Sequence, residues 1–245
     1  MASASRDDPP DSASIHEAAA NKDGKSLVFY LRADPDCVMR PDGLGRLALH
    51  HAAAAGDSST VSLLIRRMTP FVADAVNVAD DGGMTPLHWA LSQEQPGTAL
   101  ELLRLKANVD LVDRQGRRPL HAAAFSGDED CVSLLFEYIV PLADGLSARS
   151  YGGQTPLHYA AASGNEAAVT LLIEANAQID TKDSDGRSAL SWAAGEGNDE
   201  AVGVLLEAKA DPNVYDNNGM GPLHYACDLA ALPVVRLLLD ARARA

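Results

Sequence analysis

The feature that most constrains the fold is a short segment that occurs seven times along the chain, at intervals of 33 to 38 residues. Two of its copies read LALHHAAAAGD at 47–57 and TPLHYAAASGN at 155–165. A histidine holds the same place in six copies, and a serine holds it in one. These register positions are His16, His50, His88, His121, His158, Ser191 and His224. Such a period predicts a stack of similar units, because one unit is too small to bury both of its faces.

The residue types within the segment predict a helix that begins at the threonine and ends at the glycine. Thr155 suits an N-cap, and Pro156 suits the first helical position, where a missing N–H costs nothing. Apolar residues follow at helical spacing from Leu157, and Gly164 suits the left-handed residue that ends a helix. A second apolar block, such as residues 169–172, follows each segment. We therefore expect two helices per unit.

The 33-residue period and the T-P-L-H-x-A signature resemble the ankyrin repeat, over roughly residues 14–243. Four linkers also contain D-x-x-G, at 80–83, 113–116, 183–186 and 216–219. The resemblance implies an all-α fold, an ankyrin-repeat solenoid of seven helix-turn-helix units with β-hairpin fingers between them.

Within that resemblance, residues 1–12 are expected to form a disordered N-terminal tail and residues 13–245 the ankyrin-repeat domain. Register steps of 38 and 37 residues place extra residues in two enlarged fingers, at 66–82 and 137–153. The seven units are expected at approximately 13–40, 41–78, 79–111, 112–148, 149–181, 182–214 and 215–245.

Composition argues against several classes of partner. The formal net charge of −14 disfavours binding to nucleic acid or anionic membranes. No apolar run approaches the roughly 20 residues that span a bilayer, so no membrane insertion is expected. The start, MASASRDDPPDSAS, lacks the apolar core of a secretory signal. The three cysteines form no C-x-x-C pattern. We expect a cytoplasmic protein that is not secreted, with a nuclear or ciliary location as the alternatives.

The recurring histidine is a candidate metal ligand, catalytic base or structural residue. Equivalent positions in stacked helical layers lie about 10 Å apart, whereas ligands of one metal ion lie about 2 Å from it. A structural role therefore fits best. The sequence also lacks G-x-S-x-G, P-loop, H-E-x-x-H and glycine-rich dinucleotide motifs. We expect no catalytic, metal or cofactor-binding residues, no cofactor, no small-molecule substrate and no enzyme activity.

The position after the histidine is the first candidate for partner binding, because it holds an aromatic ring in four units. These residues are Trp89, Tyr159, Trp192 and Tyr225. The family resemblance implies that this part of the first helix borders a concave groove, and rigid aromatic side chains are favoured anchors at protein interfaces. The alternative is that the rings pack against the next unit.

The second candidates are arginines on the fingers. Arg114, Arg117 and Arg118 form a basic spot on an otherwise acidic chain, and Arg187 on a later finger would extend it. A spot of this kind would select an acidic peptide segment of a partner. The alternative is that these arginines are solvated charges on a loop.

These features predict a protein–protein interaction module or scaffold that binds a partner of unknown identity through its groove and fingers. Narrower resemblances imply a gankyrin-like proteasome-assembly chaperone, or one segment of a larger ciliary or cytoskeletal array similar to inversin. The segment LLEAKADPNVYD at 205–216 resembles the ankyrin stretch in which a dioxygenase hydroxylates asparagine. Asn213 is therefore a candidate modification site.

Overall fold

The computed structural model describes residues 14–68, 74–139 and 145–244. Within these ranges the regular structure is helical and no strand is assigned. The α-helices follow one another in pairs, and each pair is a repeat, numbered 1 to 7 along the chain. The predicted disordered tail, residues 1–12, lies outside the described residues.

The first helix of each repeat is short, with six to eight residues, and contains the histidine register. These helices are Ile15–Ala20 (α1), Ala48–Ala55 (α3), Pro86–Ser92 (α5), Pro119–Ser126 (α7), Pro156–Ser163 (α9), Ala189–Glu196 (α11) and Pro222–Asp228 (α13). The second helices are Gly24–Ala33 (α2), Ser58–Met68 (α4), Pro96–Arg104 (α6), Glu129–Ile139 (α8), Glu166–Glu174 (α10), Asp199–Glu207 (α12) and Leu232–Asp240 (α14). Two short 3-10 helices, Pro35–Met39 and Ala75–Asn77, lie in linkers.

The two long register steps coincide with the two longest helices. Helices α4 and α8 have eleven residues each, whereas the other second helices have nine or ten. Part of each insertion therefore extends a helix, and only the remainder is left for the finger. Residues 69–73 and 140–144 of the two expected enlarged fingers lie outside the described residues.

The helix ends confirm the cap residues that the sequence predicted. Thr85 and Thr155 are N-caps, each followed by proline in the first turn. Gly127, Gly164 and Gly197 end their helices with φ between 75° and 83°. These glycines stand six residues after the register histidine or serine, and that position is also left-handed in the repeats that lack glycine there. Those residues are Lys22, Glu94 and Ala230.

The chain divides into two compact units, each with its own stack of helices. Met1–Asn108 contains repeats 1 to 3, and Val109–Ala245 contains repeats 4 to 7. Within each unit, first helices pack on the first helices of the next repeat, and from repeat 2 onwards second helices pack on the second helices of the next repeat. Between repeats 1 and 2, the 3-10 helix Pro35–Met39 packs on α4. Leu157 and the neighbouring Ala160 and Ala161 are almost completely buried. A buried leucine contributes about 1.5–3 kcal/mol to folding, and the small alanines let helices approach closely.

The fingers are tight turns in the described residues, and each turn is closed by its own backbone. At Asp113–Gly116, the Gly116 N–H donates to the Asp113 carbonyl and the Asp113 N–H donates to the Arg117 carbonyl, both at 3.0 Å. The same bonds close the turn at 42–45, a fifth D-x-x-G that the sequence analysis did not count, and the turn at 150–153, where Ser150 replaces the aspartate. Successive turns are also joined, for example by the Tyr151 N–H and the Gln115 carbonyl at 2.8 Å.

Candidate protein-binding surface

The aromatic residues after the histidines are tied to the turn of their own repeat. The indole N–H groups of Trp89 and Trp192 donate to the carboxylates of Asp80 and Asp183, both at 2.9 Å. The hydroxyl of Tyr225 donates to Asp216 in the same way. In each case the aspartate is the first residue of the turn and precedes the ring by nine residues. Three of the four predicted rings are therefore half-buried and held in one orientation.

The aspartate accepts hydrogen bonds on both of its oxygens. In the turn of repeat 7, Oδ1 of Asp216 accepts the backbone N–H groups of Asn218 and Met220, both at 2.8 Å, and Oδ2 accepts the Tyr225 hydroxyl. Burial alone would raise the pKa of Asp216, but these hydrogen bonds outweigh it and lower the pKa. Burial, and then the bond to Asp216, raise the pKa of Tyr225. The pair therefore keeps its donor and acceptor at neutral pH.

His51 occupies the ring position of repeat 2, which sequence reasoning did not recognise as part of this set. Its Nε2 lies 3.0 Å from Oδ2 of Asp42, the first residue of the turn nine residues earlier. Arg46 Nε donates to the same oxygen at 2.8 Å. Burial would raise the pKa of Asp42, but backbone hydrogen bonds and these two side chains lower it strongly.

Two arginines from the fingers lie over rings of the following repeat. The guanidinium carbon of Arg46 is 5.6 Å from the centre of the Trp89 ring. That of Arg187 is 5.2 Å from the Tyr225 ring. Both distances fall within the range of a cation–π contact. The predicted site residues Arg187 and Tyr225 therefore form one pair, in repeats 6 and 7.

The other three predicted arginines share the finger of repeat 4 but differ in their partners. Arg117 forms an ion pair with Asp113 at 2.6 Å, and Arg118 forms one with Asp110 at 2.8 Å. Arg114 is exposed, and no partner is recorded for it among the described residues. Arg114 is consequently the arginine of this spot whose charge is most accessible to a partner.

Tyr159 departs from the pattern of the other predicted rings. The residue nine positions earlier is Ser150, whose hydroxyl bonds to Gln154 instead. The Tyr159 ring packs edge-on against His121 at 5.4 Å and against Phe125 at 6.3 Å. Within the described ranges its hydroxyl has no hydrogen-bond partner.

Phe125 is a further candidate that the sequence analysis missed. Its side chain is 57% exposed, although it lies on a first helix beside Tyr159. A signal was present in the sequence, because Phe125 stands four residues after the histidine. The other six repeats carry small or polar residues at that position: Ala20, Ala54, Ser92, Ala162, Gly195 and Asp228.

Asn213, the candidate modification site, lies in the finger of repeat 7. Its Oδ1 accepts the Arg244 backbone N–H at 2.9 Å, and its Nδ2 is 3.5 Å from the Arg242 carbonyl. Its own N–H donates to Asp211 at 2.9 Å. The side-chain amide is thus held against the segment that follows α14, and a modifying enzyme would have to displace these contacts.

The registered histidines join neighbouring repeats, as the structural interpretation predicted. The Thr155 N–H donates to Nδ1 of His158 at 3.1 Å, so Nε2 carries the proton and donates to the Arg187 carbonyl at 3.1 Å. His50 and His121 make the equivalent bonds. Burial lowers the pKa of all three histidines, to about 4 for His121. They are therefore neutral at physiological pH.

The described residues contain no group of three or more histidine, cysteine or acidic side chains placed to hold a metal ion. They also contain no helix that is long and apolar enough to cross a membrane.

Stacked helix pairs that share one register define the class of helical repeat proteins. The family model for ankyrin repeats matches the chain three times, over residues 15–113, 94–183 and 175–245. The chain therefore belongs to the ankyrin-repeat family.

Similar proteins support the same assignment. The crystal structure of the ankyrin repeat domain of Bcl-3, described as a unique member of the IkappaB family, has a TM-score of 0.69 and 30% identity. That likeness covers 82% of this chain and 88% of the Bcl-3 chain. The chain is 41% identical to the NF-kappa-B p105 subunit of Gallus gallus over 63 residues, 26% of its length. It is 34% identical to inversin of Canis lupus familiaris over 131 residues, 51% of its length. These matches span 6% and 12% of the two relatives.

Proposed function

We propose that the chain is a non-enzymatic scaffold that binds partner proteins through the rings of its first helices and the arginines of its fingers. One observation carries this proposal: the rings at Trp89, Trp192 and Tyr225 are fixed in orientation by turn carboxylates. Side chains that are already ordered lose little conformational entropy on binding, which favours affinity. Arginines stacked on two of these rings add directional hydrogen-bond donors to the same surface.

The experiment is affinity purification of the tagged chain with quantitative mass spectrometry. We expect the double variant Trp89→Ala with Arg46→Ala, which removes one ring and the arginine stacked on it, to lose partners that the wild type recovers. A matched control, Phe29→Ala with Arg32→Ala, removes one exposed ring and one exposed arginine from α2 and should keep those partners. Far-UV circular dichroism checks that both variants remain helical. Full recovery of partners by the Trp89 variant, or no partners with the wild type, would contradict the proposal.

A second candidate function is a segment of a larger scaffold, which the similarity to inversin over half of the chain favours. In this case the natural partners would belong to a ciliary or cytoskeletal assembly. The gankyrin-like alternative predicts a different result, namely that the chain cofractionates with proteasomal ATPase subunits. The identities of the recovered partners therefore distinguish the two functions.

The proposed location is the cytoplasm, with the nucleus or cilium as alternatives. Two of the three cysteines support it, since Cys37 and Cys227 form no disulfide and Cys227 is exposed. Free exposed thiols fit a reducing compartment. Imaging of the tagged chain tests the proposal, and a signal confined to the secretory pathway would contradict it.

Asn213 remains a proposed substrate of an asparagine hydroxylase. Its hydroxylation would cost the contacts that the side-chain amide makes. Modification would require release of the bond from the Arg244 N–H. Mass spectrometry after co-expression with such a dioxygenase should show the mass of one added oxygen on a peptide that contains Asn213. An unchanged mass would refute this proposal.

A further inference from the structure

Repeats 4 and 5 break the contact between ring and turn that the other repeats of the same compact unit keep. In repeat 4 the carboxylate is present at Asp113, but Ala122 stands in the ring position. In repeat 5 the ring is present at Tyr159, but Ser150 stands in the carboxylate position. Repeats 6 and 7 make the contact. The mismatch leaves the Tyr159 hydroxyl of repeat 5 without the turn carboxylate that binds the rings of repeats 6 and 7.

The same two repeats expose apolar side chains to solvent. Phe125 is 57% exposed and touches Tyr159, and Tyr151 at the tip of the repeat 5 turn is 74% exposed. The Tyr151 ring lies across the repeat 4 turn, so close that a Cβ on Gly116 would come within 2.5 Å of it. Exposed aromatic side chains on two adjacent repeats are a common mark of a protein-binding site.

The described parts of the repeat 4 and repeat 5 fingers are positively charged, on a chain whose net charge is −14. The repeat 4 finger, residues 108–118, holds three arginines against two aspartates, and both aspartates are paired with arginines. The described part of the repeat 5 finger, residues 145–155, holds Arg149 and no acidic residue. Arg149 donates to the backbone carbonyls of Gly153 and Lys182, and among the described residues no carboxylate forms an ion pair with it. In contrast, the fingers at 178–188 and 211–221 carry more acidic than basic residues.

We propose that Phe125, Tyr151, Tyr159, Arg114 and Arg149 form a docking site for an acidic segment of a partner protein. In that segment, carboxylates flank one apolar or aromatic side chain. The apolar side chain packs on Phe125 and Tyr159, while Tyr151 contacts the same segment where it passes the fingers. The carboxylates pair with Arg114 and Arg149, and one acceptor of the segment accepts a hydrogen bond from the Tyr159 hydroxyl. The inference rests on the proposed function and specifies the surface and the chemistry of the partner.

The probe is a phage-displayed library of random peptides selected on the full-length chain. We expect the selected peptides to carry aspartate or glutamate beside a large apolar residue, and to bind less tightly as salt is raised. For a synthetic peptide of selected sequence, Phe125→Ala should weaken binding about tenfold or more. Tyr159→Phe removes only the hydroxyl and should weaken binding about three- to tenfold. Arg114→Glu with Arg149→Glu should weaken it about tenfold.

Matched controls separate this site from the rest of the molecule. Arg66→Glu with Arg67→Glu makes the same charge change on two exposed arginines of α4, and Leu232→Ala truncates an apolar side chain that is 66% exposed. Both controls should bind the peptide as the wild type does, and circular dichroism should show unchanged helix content for every variant.

Three results would overturn the inference: no enrichment, selection of basic or uncharged peptides, or equal binding by the Phe125→Ala and wild-type chains. A selected peptide that instead loses affinity with Trp192→Ala would also overturn it. In that last case the interaction function would stand, because a partner would still bind the ring surface. The interaction function itself would fail only if the affinity purification recovered no partners with the wild-type chain.

Discussion

The neutral histidines that join the repeats make stability depend on pH, and His121 offers the sharpest test. Its Nδ1 accepts the Arg118 N–H at 3.0 Å, and its Nε2 donates to the carbonyls of Ala148 and Gln154, both at 3.2 Å. Protonation of Nδ1 would remove its acceptor and place a charge in a buried site. Burial accordingly lowers the pKa of His121 from 6.5 to about 4.

The direction of the pH effect follows from the two pKa values. Between about pH 6.5 and about pH 4, the unfolded chain binds a proton at His121 that the folded chain does not. The stability that His121 contributes is therefore complete above pH 6.5 and is lost as the pH falls towards 4. With about 1.4 kcal/mol per pKa unit, the loss at about pH 5 amounts to about 2 kcal/mol.

The assay is chemical denaturation of the wild type and of His121→Ser at about pH 7.5 and about pH 5. Serine is chosen because Ser191 fills the same position in repeat 6. The variant should be less stable at the higher pH, because the hydrogen bonds of the imidazole with Arg118, Ala148 and Gln154 are lost. On acidification, the free energy of unfolding of the variant should also fall by about 2 kcal/mol less than that of the wild type.

Other acid-sensitive groups are common to both chains, so they cancel in this comparison. Ser191→Ala serves as the control, because it alters the same position of another repeat without removing an ionisable group. It should keep the pH dependence of the wild type. An equal loss of stability on acidification in the wild type and in His121→Ser would refute the reasoning.

Two further predictions concern stability. Glu94 is exposed and has a φ of 56°, so Glu94→Gly should raise the free energy of unfolding by about 0.5–1 kcal/mol in urea denaturation, and unchanged or lower stability would count against it. Tyr225→Phe removes the hydroxyl that donates to Asp216 and should cost about 1 kcal/mol. Tyr215→Phe is its control and should cost less, since that hydroxyl lies 3.5 Å from its acceptor. Equal losses from the two tyrosine variants would refute the assigned hydrogen bond.

Much of the fold could be predicted because its signals are local and repeated. The cap residues Thr155 and Gly164 and the apolar Leu157 act within one helix, and their recurrence distinguishes a pattern from chance. The structural role of the histidines followed from the same recurrence, since a residue present once per layer belongs to the layer. The left-handed Glu94 was less obvious, because its conformation is imposed by the repeat and not by its side chain.

The candidate site was only partly predictable, because its properties depend on pairs of residues across a linker. The aromatic position was visible in the sequence, but its bond to a carboxylate nine residues earlier requires the folded turn. His51 belongs to the same set although it is not an aromatic hydrophobe. Arg114 and Arg117 look alike in sequence, yet one is free for a partner and the other is held by Asp113.

The sequence by itself determined the period, the helix pairs, their caps and the family, because each rests on interactions within a few residues or on their repetition. The tertiary structure decided which rings are fixed and which hydroxyl is left available. It also decided which apolar side chains remain exposed. The reason is that hydrogen bonds between a turn and a helix, and the burial of a ring between layers, depend on how the linkers place successive repeats against one another. Phe125 beside Tyr159 shows this dependence most directly.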